Sequence, residues 1–365
     1  MKRERIVVAM SGGVDSSTAA ALLLDAGHEV VGVTLKLTNA TGTAASIGGR
    51  CCGPRDIEDA RATAALLGFP HYVLDESAAF QRAVIDDFVA EHAAGRTPNP
   101  CVRCNEKLKF GPLLRFARAV GARRLATGHY ARLVPQPAAR HDETAPAPFL
   151  MRARDREKDQ SYFLFGVPPT LFADVTFPLG EQTKDQVRAM ARRFALPNAD
   201  KPDSQELCFI PDGDHKAFVE SHGGAGRTGE IVDERGELLG AHAGTHRFTV
   251  GQRRGVPVAD GSRRFVLRIE AATGKVVVGP RESLGRHHLT VSDLRWTSGR
   301  APQTWPLRCA VQIRHHAAAA AAWVSAPEDS SCAVELDSAA VGVAPGQAAV
   351  FYDGDRVVGG GWIAA

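Results

Sequence analysis

A chain of 365 residues that is 44% hydrophobic and 23% charged has a globular composition with room for two or three domains. Its net charge of +3 neither requires nor excludes a nucleic-acid partner, because local patches decide that. No apolar run reaches the roughly 18 residues of a membrane span, and no signal-peptide core follows the N-terminus, so the expected location is cytoplasmic with no membrane partner.

The first element is the apolar run Ile6-Val7-Val8-Ala9-Met10, which reads as a buried strand. Ser11-Gly12-Gly13-Val14-Asp15-Ser16-Ser17 follows as a glycine-rich loop opening a helix. Such a loop offers backbone N–H groups and a helix N-terminus to an anion. The hydroxyls of Ser11, Ser16 and Ser17 can add hydrogen bonds to phosphate oxygens. Asp15 beside phosphates needs a cation or donors to neutralise it. The lysine that ends a GxxxxGK[ST] loop is missing. The segment resembles the pyrophosphate loop, SGGxDS, of enzymes that split ATP into AMP and pyrophosphate.

A helix over 15–26 and a strand over 29–37 come next, then a helix over 56–67 closed by Gly68 and a strand over 71–74. Phe80, Val84, Phe88 and Val89 fit helical spacing, and 123–127 reads as a strand running into Gly128-His129-Tyr130. This alternation predicts a parallel sheet with helices on both faces and the first loop at its carboxyl edge. The stretch 135–148, PQPAARHDETAPAP, reads as a solvent loop or insertion. A helical pattern ends near Phe194. From about Gly226 short alternating runs separated by turn pairs predict all-β structure, with a break near Leu284-Gly285. Ala317 to Ala322 has high helix propensity but sits among strand signals, which take precedence.

Seven cysteines in a long chain argue against a secreted disulfide framework. Cys309 and Cys332 read as buried fillers, and Cys51-Cys52 as incidental thiols of a loop. Asn99-Pro100-Cys101-Val102-Arg103-Cys104-Asn105 is a shaped C-x-x-C loop. Arg103, and a helix N-terminus after Asn105, are expected to lower a thiol pKa. There is no second C-x-x-C for a zinc site. Cys208, by its surroundings alone, reads as an apolar filler.

Along nearly its whole length the chain resembles the bacterial tRNA-specific 2-thiouridylases. The matching stretches are AMSGGVDSS (9–17), TPNPCVRCN (97–105), ATGHYAR (126–132), KDQSYFL (158–164), KPDSQELCFI (201–210), FTVGQRRGV (248–256) and PGQAAVFYDGDRVVGGGWI (345–363). The resemblance implies an α/β fold with a Rossmann-like pyrophosphate-loop domain over 1–210. A small β-rich central domain over 211–284 and a C-terminal β-barrel over 285–365 would follow. It implies that ATP, with Mg²⁺, adenylates the C2 oxygen of the wobble uridine, after which a persulfide displaces AMP to give 2-thiouridine. Ala9, Met10, Ser11, Gly12, Gly13, Val14, Asp15, Ser16, Leu35 and Gly128 would hold the nucleotide, with Asp15 serving Mg²⁺ or ordering the loop.

Cys208 would carry the persulfide, delivered by a cysteine desulfurase or a sulfur carrier. Cys104 would release the sulfur and form a transient disulfide with Cys208, which a reductant reopens. Asn99, Pro100 and Cys101 would line a target base flipped out of the anticodon loop. His129, Lys158, Asp159, Gln160, Arg314, His315 and Gln347 would touch the tRNA anticodon stem-loop. Gln252-Arg253-Arg254 suits phosphate contact. The best-known family members carry an aspartate in place of Cys101. The resulting thiols Cys101, Cys104 and Cys208 raise a further ligand set, one that could hold a [4Fe–4S] cluster. Two rivals stand beside this reading. A small-molecule pyrophosphate-loop synthetase would not need Cys104 or Cys208, and a non-catalytic ATP- and tRNA-binding protein would release no AMP.

Overall fold

The β-branched run of β1 (Arg5–Ala9) is buried on both faces, as a central parallel strand requires. The computed structural model describes residues 3–38, 53–136, 146–203, 207–210, 213–258 and 263–364. β1 pairs in parallel with β2 (Glu29–Lys36) on one side and with β4 (Arg124–Thr127) on the other. β3 (His71–Asp75) extends the first side and β7 (Val175–Thr176) the other, giving a five-stranded parallel sheet of order β3-β2-β1-β4-β7. The chain leaves β1 toward β2 and β3, then crosses back to β4. The switch point of the sheet therefore lies beside the carboxyl end of β1, where open α/β sheets bind ligands.

Helices α1 (Val14–Asp25) and α2 (Pro54–Leu67) follow β1 and β2, and α2 ends on the left-handed Gly68. The helical spacing after β3 is realised as α3 (Ser77–Phe80), a π-helical stretch over Gln81–Ile85, and α4 (Asp86–Ala93). A second π turn, Asn105–Lys109, joins α5 (Pro100–Cys104) to α6 (Phe110–Ala119). π turns of this kind collect at functional sites.

After β4 the chain adds the hairpin β5 (Ala131–Val134) and β6 (Phe149–Arg152), then returns to the parallel sheet at β7 (Val175–Thr176) and α7 (Lys184–Arg193). Residues 137–145 of the expected solvent loop, and Cys51-Cys52, lie outside the described residues. After α8 (His215–Ser221), strands β8 (Gly229–Val232), β9 (Leu238–His242), β10 (Phe265–Glu270) and β11 (Lys275–Gly279) form a small sheet around Ile231, Phe248, Val266, Val276 and Val278.

The last six strands are β12 (Gly285–Trp296), β13 (Leu307–Gln312), β14 (Ala320–Val324), β15 (Cys332–Val341), β16 (Ala348–Asp353) and β17 (Arg356–Ile363). They form an antiparallel barrel closed by the β12–β17 pairing. The alanine run is strand β14, so its environment overrides its helix propensity. Cys309 and Cys332 are buried in the barrel, and burial pushes both thiols up to about 12. The β5–β6 hairpin pairs with β17, so the first part of the chain contributes two strands to the barrel sheet. One hydrophobic core runs through both, joining Val7, Val102, Cys104 and Tyr162 to Val350, Tyr352 and Trp362.

Candidate active site

The loop after β1 is built for close approach. Gly12 adopts φ +70°, and a Cβ there would lie 2.3 Å from the Asp56 carbonyl oxygen of α2. Gly128, just past β4, faces the loop from the other side, where a Cβ would lie 2.7 Å from the Ser16 nitrogen. Gly13 is the N-cap of α1, and no side chain caps that helix. The first N–H groups of α1 thus keep their capacity for an anion. Ser16 Oγ accepts from the Ser11 N–H at 3.1 Å and donates to the Gly13 carbonyl at 3.1 Å, which holds the loop in shape. Ser11 Oγ lies 3.3 Å from Ser16 Oγ. Ser17 corrects the sequence reading. Its hydroxyl is fully buried, bonded to Asn198 at 2.9 Å and Thr63 at 3.3 Å, and cannot reach a phosphate.

Ala9 ends β1 between Val33 and Thr127, and Met10 continues it, donating its N–H to the Val33 carbonyl at 2.8 Å. Val14 and Leu35 are buried in the core on either side of the loop. Asp15 is neutralised by protein groups. Lys184 donates to its two oxygens at 2.7 and 2.9 Å, and the Tyr130 hydroxyl donates to Oδ1 at 2.8 Å. Burial, with Asp15 alongside, pushes the Tyr130 phenol far above its ordinary range, so it remains a donor. Of the two roles expected for Asp15, this geometry fits loop ordering rather than metal ligation.

Sequence reasoning missed the residues that clamp the loop. Asn198 Nδ2 donates to the Gly12 carbonyl at 3.0 Å. Lys201 Nζ reaches the same carbonyl at 3.3 Å and pairs with Asp56 at 2.7 Å and Asp59 at 2.6 Å. Lys184 opens α7 behind a Thr183/Gln186 capping box. The signals were the T-x-x-Q pattern at 183–186 and the lysine and aspartate at the start of KPDSQELCFI.

The cysteines are placed by a helix. Asn99 is the N-cap of α5, its side chain accepting from the Val102 N–H at 3.3 Å, and Pro100 opens the first turn. The expected helix N-terminus therefore precedes the thiols instead of following Asn105. Cys101 is exposed in the first turn, and Cys104 is buried one turn on. Arg103 is directed elsewhere. It lies over the Trp362 ring at 3.8 Å and pairs with Glu106 at 3.1 Å and Asp87 at 3.6 Å. Its charge thus clamps the barrel to α5. Cys208 is half-buried and packs against the same core that contains Cys104. Among the described residues no three His, Cys, Asp or Glu side chains gather as metal ligands.

Three family models match the chain in succession. They are described as the tRNA methyl transferase HUP domain over residues 4–212, the tRNA methyl transferase PRC-barrel domain over 216–280 and the aminomethyltransferase beta-barrel domain over 286–363. A tRNA-specific 2-thiouridylase MnmA of Geobacter metallireducens is 47% identical over 100% of this chain and 97% of its own length. That of Rhodospirillum centenum is 47% identical over 98% and 91%. That of Acidithiobacillus ferrooxidans is 43% identical over 100% and 99%. The chain belongs to the tRNA-specific 2-thiouridylase family. A solved 4-thiouridine synthetase with RNA and ATP aligns over 60% of this chain and 49% of its own, at 14% identity and a TM-score of 0.37, a likeness too distant to carry an argument. No described helix is long and apolar enough to cross a membrane.

Of the residues expected to meet RNA, Gln347 and His315 join the barrel to the parallel-sheet domain. Gln347 Nε2 donates to the carbonyls of Thr97 at 3.0 Å and Pro98 at 3.3 Å, immediately before Asn99. His315 Nε2 lies 2.9 Å from the Asp159 carbonyl. The Asp159 carboxylate is buried, pairs with Arg152 at 2.9 Å and accepts from the Ser161 hydroxyl. Gln160 Oε1 accepts from the Tyr130 N–H at 3.0 Å. Lys158 pairs with Asp203 at 2.8 Å. Arg314 is exposed, with one guanidinium nitrogen on the Val341 carbonyl. His129 is stacked on Phe110 and bonded to Thr127 Oγ1 at 2.7 Å, and burial holds its imidazole down to about 3. A neutral ring can donate or accept one hydrogen bond but offers no charge to a phosphate. Arg253 and Arg254 are exposed.

Proposed function

We propose that the chain is a tRNA-uridine 2-sulfurtransferase that activates the wobble uridine with ATP and replaces its C2 oxygen with sulfur. The observation that carries this is the pairing of two features in a full-length member of the thiouridylase family. One is an uncapped helix N-terminus at the sheet's switch point. The other is the pair of cysteines, 104 and 208, against one core. The family models are described by the words methyl transferase, but a methyl donor gives no role to paired thiols, whereas sulfur transfer does.

The steps follow from elementary chemistry. Oxide is a poor leaving group from uracil C2. Attack of that oxygen on the α-phosphorus of ATP expels pyrophosphate and makes AMP the leaving group. The N–H groups at the start of α1 are aimed where the developing phosphate charge would lie. Asp15 is held by Lys184 and Tyr130, so the Mg²⁺ that accompanies ATP would be held by the nucleotide's own phosphates.

The terminal sulfur of a Cys208 persulfide then attacks C2 and AMP departs. Cys104 thiolate attacks the Cys208 sulfur, the S–S bond to the base breaks, and the base keeps the terminal sulfur as 2-thiouridine. A Cys104–Cys208 disulfide remains, and a dithiol reductant returns it to two thiols. A cysteine desulfurase or sulfur carrier would load Cys208. Asn99, Pro100 and Cys101 at the head of α5 would meet the flipped base, while His129, Lys158, Gln160, Arg314, His315 and Gln347 would meet the anticodon stem-loop. Asp159 would support that surface from beneath through Arg152.

The test supplies ATP, tRNA and a persulfide donor and measures 2-thiouridine and AMP together. The wild type forms both, and Cys208→Ser releases pyrophosphate but forms neither AMP nor 2-thiouridine, because AMP departs only when sulfur attacks C2. Full sulfur incorporation by Cys208→Ser would overturn the persulfide assignment, and AMP release independent of tRNA would favour a small-molecule synthetase.

A further inference from the structure

Cys208 lies in a turn. The Ile210 N–H donates to the Leu207 carbonyl at 3.1 Å, so Cys208 and Phe209 are its two central residues. Cys208 is half-buried, whereas the Phe209 ring is buried among other rings. Its centroid lies 5.6 Å from Phe80 at the end of α3, 5.3 Å from Phe88 of α4 and 5.3 Å from Phe218 of α8, edge-on in each case. Phe88 and Phe218 meet each other at 6.3 Å. Edge-to-face packing favours particular ring orientations, so these contacts fix the Phe209 ring in direction as well as depth.

α8 opens the segment matched by the PRC-barrel model, and it is pinned on two sides. Gly224, just past it, lies so close to α4 that a Cβ would meet a Val89 methyl at 2.3 Å. On the other side, Glu220 accepts from His246 Nε2 of the middle domain at 2.9 Å, and His246 Nδ1 accepts from the Gly226 N–H at 2.8 Å. One wall of the Phe209 socket is therefore carried by a helix that the middle domain holds in place.

We propose that Phe209 and Phe218 are positioning residues for the Cys208 thiol, and that the middle domain acts on sulfur transfer through them. Neighbouring Cα atoms are 3.80 Å apart, so a locked ring at the third turn position leaves the second little freedom. The packing of the rings offsets the entropy of ordering the turn before reaction. Displacement at C2 needs the attacking sulfur held close and in line, and a small misplacement slows it steeply. This inference rests on the reading of Cys208 as the sulfur-bearing thiol.

The test uses the full, reduced chain and two readouts. One is alkylation of Cys208 by iodoacetamide, followed by peptide mass spectrometry. The other is a single turnover with ATP, tRNA and a persulfide donor, in which pyrophosphate release and 2-thiouridine formation are timed separately. Phe218→Ala forfeits a ring pair and should speed Cys208 alkylation about 2- to 12-fold. Cys309 and Cys332 should alkylate as in the wild type, the internal measure of intact folding. The same variant should form 2-thiouridine about 10- to 100-fold more slowly while pyrophosphate release keeps its rate. Phe218→Tyr, which keeps the ring, should restore both readouts. Phe209→Ala removes the other member of the pair and should show the same split, so it decides the matter if Phe218→Ala does not fold. Wild-type sulfur transfer in these alanine variants overturns the positioning role alone, as does an equal loss of pyrophosphate release and sulfur transfer. Full 2-thiouridine formation by Cys208→Ser overturns both the positioning role and the reading of Cys208 on which it rests.

Discussion

Gly128→Ala is the sharpest probe of the loop. Nothing about this glycine's φ demands glycine; the constraint is space. An added Cβ would meet the Ser16 nitrogen at 2.7 Å, the Asp15 carbonyl carbon at 2.9 Å and the Ser16 Cα at 3.0 Å, all backbone atoms of the first turn of α1. Ordinary contact starts near 3.4 Å, so the helix start must retreat by about 0.7 Å. Overpacking of this kind costs about 1–3 kcal/mol of stability. The same retreat withdraws the Ser16 N–H from a phosphate. Hydrogen bonds to charged groups are worth about 1.5–3 kcal/mol, so ATP binding should weaken on the order of 10- to 100-fold. Titration calorimetry with ATP, beside urea unfolding followed by circular dichroism, reads both effects. Gly111→Ala in α6 is the control. The nearest atom to its added Cβ is 3.6 Å away, at the end of the flexible Arg115 side chain, so stability should rise by about 0.5–1 kcal/mol. A Gly128→Ala protein with wild-type stability and ATP affinity would refute the argument from close packing.

Three further outcomes follow from other parts of the molecule. Lys201→Met leaves the buried Asp56 carboxylate without its cation and the Gly12 carbonyl with Asn198 as its remaining donor, so unfolding should require about 3–5 kcal/mol less, read by urea titration; a change under about 1 kcal/mol would count against the clamp. Arg253→Ala with Arg254→Ala should weaken tRNA binding and lower the slope of log K against log salt by up to ~2, and an unchanged slope means these arginines do not meet phosphate. His92 is buried where α4 meets the middle domain, and burial, then His215 and His246, hold its pKa down to about 4. The unfolded chain binds a proton near 6.5 that the folded chain refuses, so stability should fall as pH drops from 6.5 toward 4. His92→Phe should flatten that part of the urea-midpoint profile; an unaltered slope would exclude His92 as its source.

The parallel sheet was legible because β1, β2 and β4 are short apolar runs and because Gly12, Gly68 and Gly128 mark the turns after β1, α2 and β4. The cysteine motif was legible as chemistry but not as geometry. Read as a loop, 99–105 hides the fact that Asn99 and Pro100 are helix-start residues, so Cys101 and Cys104 sit a turn apart, one exposed and one buried. The sequence shows only the neighbours of Arg103; its partners Asp87 and Trp362 are brought in by the fold. The same applies to Lys184, Asn198 and Lys201, whose spacing from the loop is long and whose partners lie on other elements. The segment 158–164 carries a further lesson. Tyr162 donates to the Ala348 carbonyl of the barrel at 2.8 Å, and the Asn105 side chain donates to the Phe163 carbonyl within the first domain at 3.2 Å, so part of that motif is structural joinery.

The hairpin β5–β6 makes the barrel a poor module. A fragment cut at the start of β12 would keep its six closed strands but lose the strand that β17 pairs with at Arg356, and would bare Trp362 and Tyr352 from the core they share with α5. Exposed strand edges and aromatic patches of that kind invite aggregation. A transplant that moves this barrel onto another enzyme would have to carry residues 131–152 with it and supply a replacement for the face of α5. Swapping RNA-binding specificity in this scaffold is therefore better done by changing side chains on the barrel than by exchanging the barrel itself.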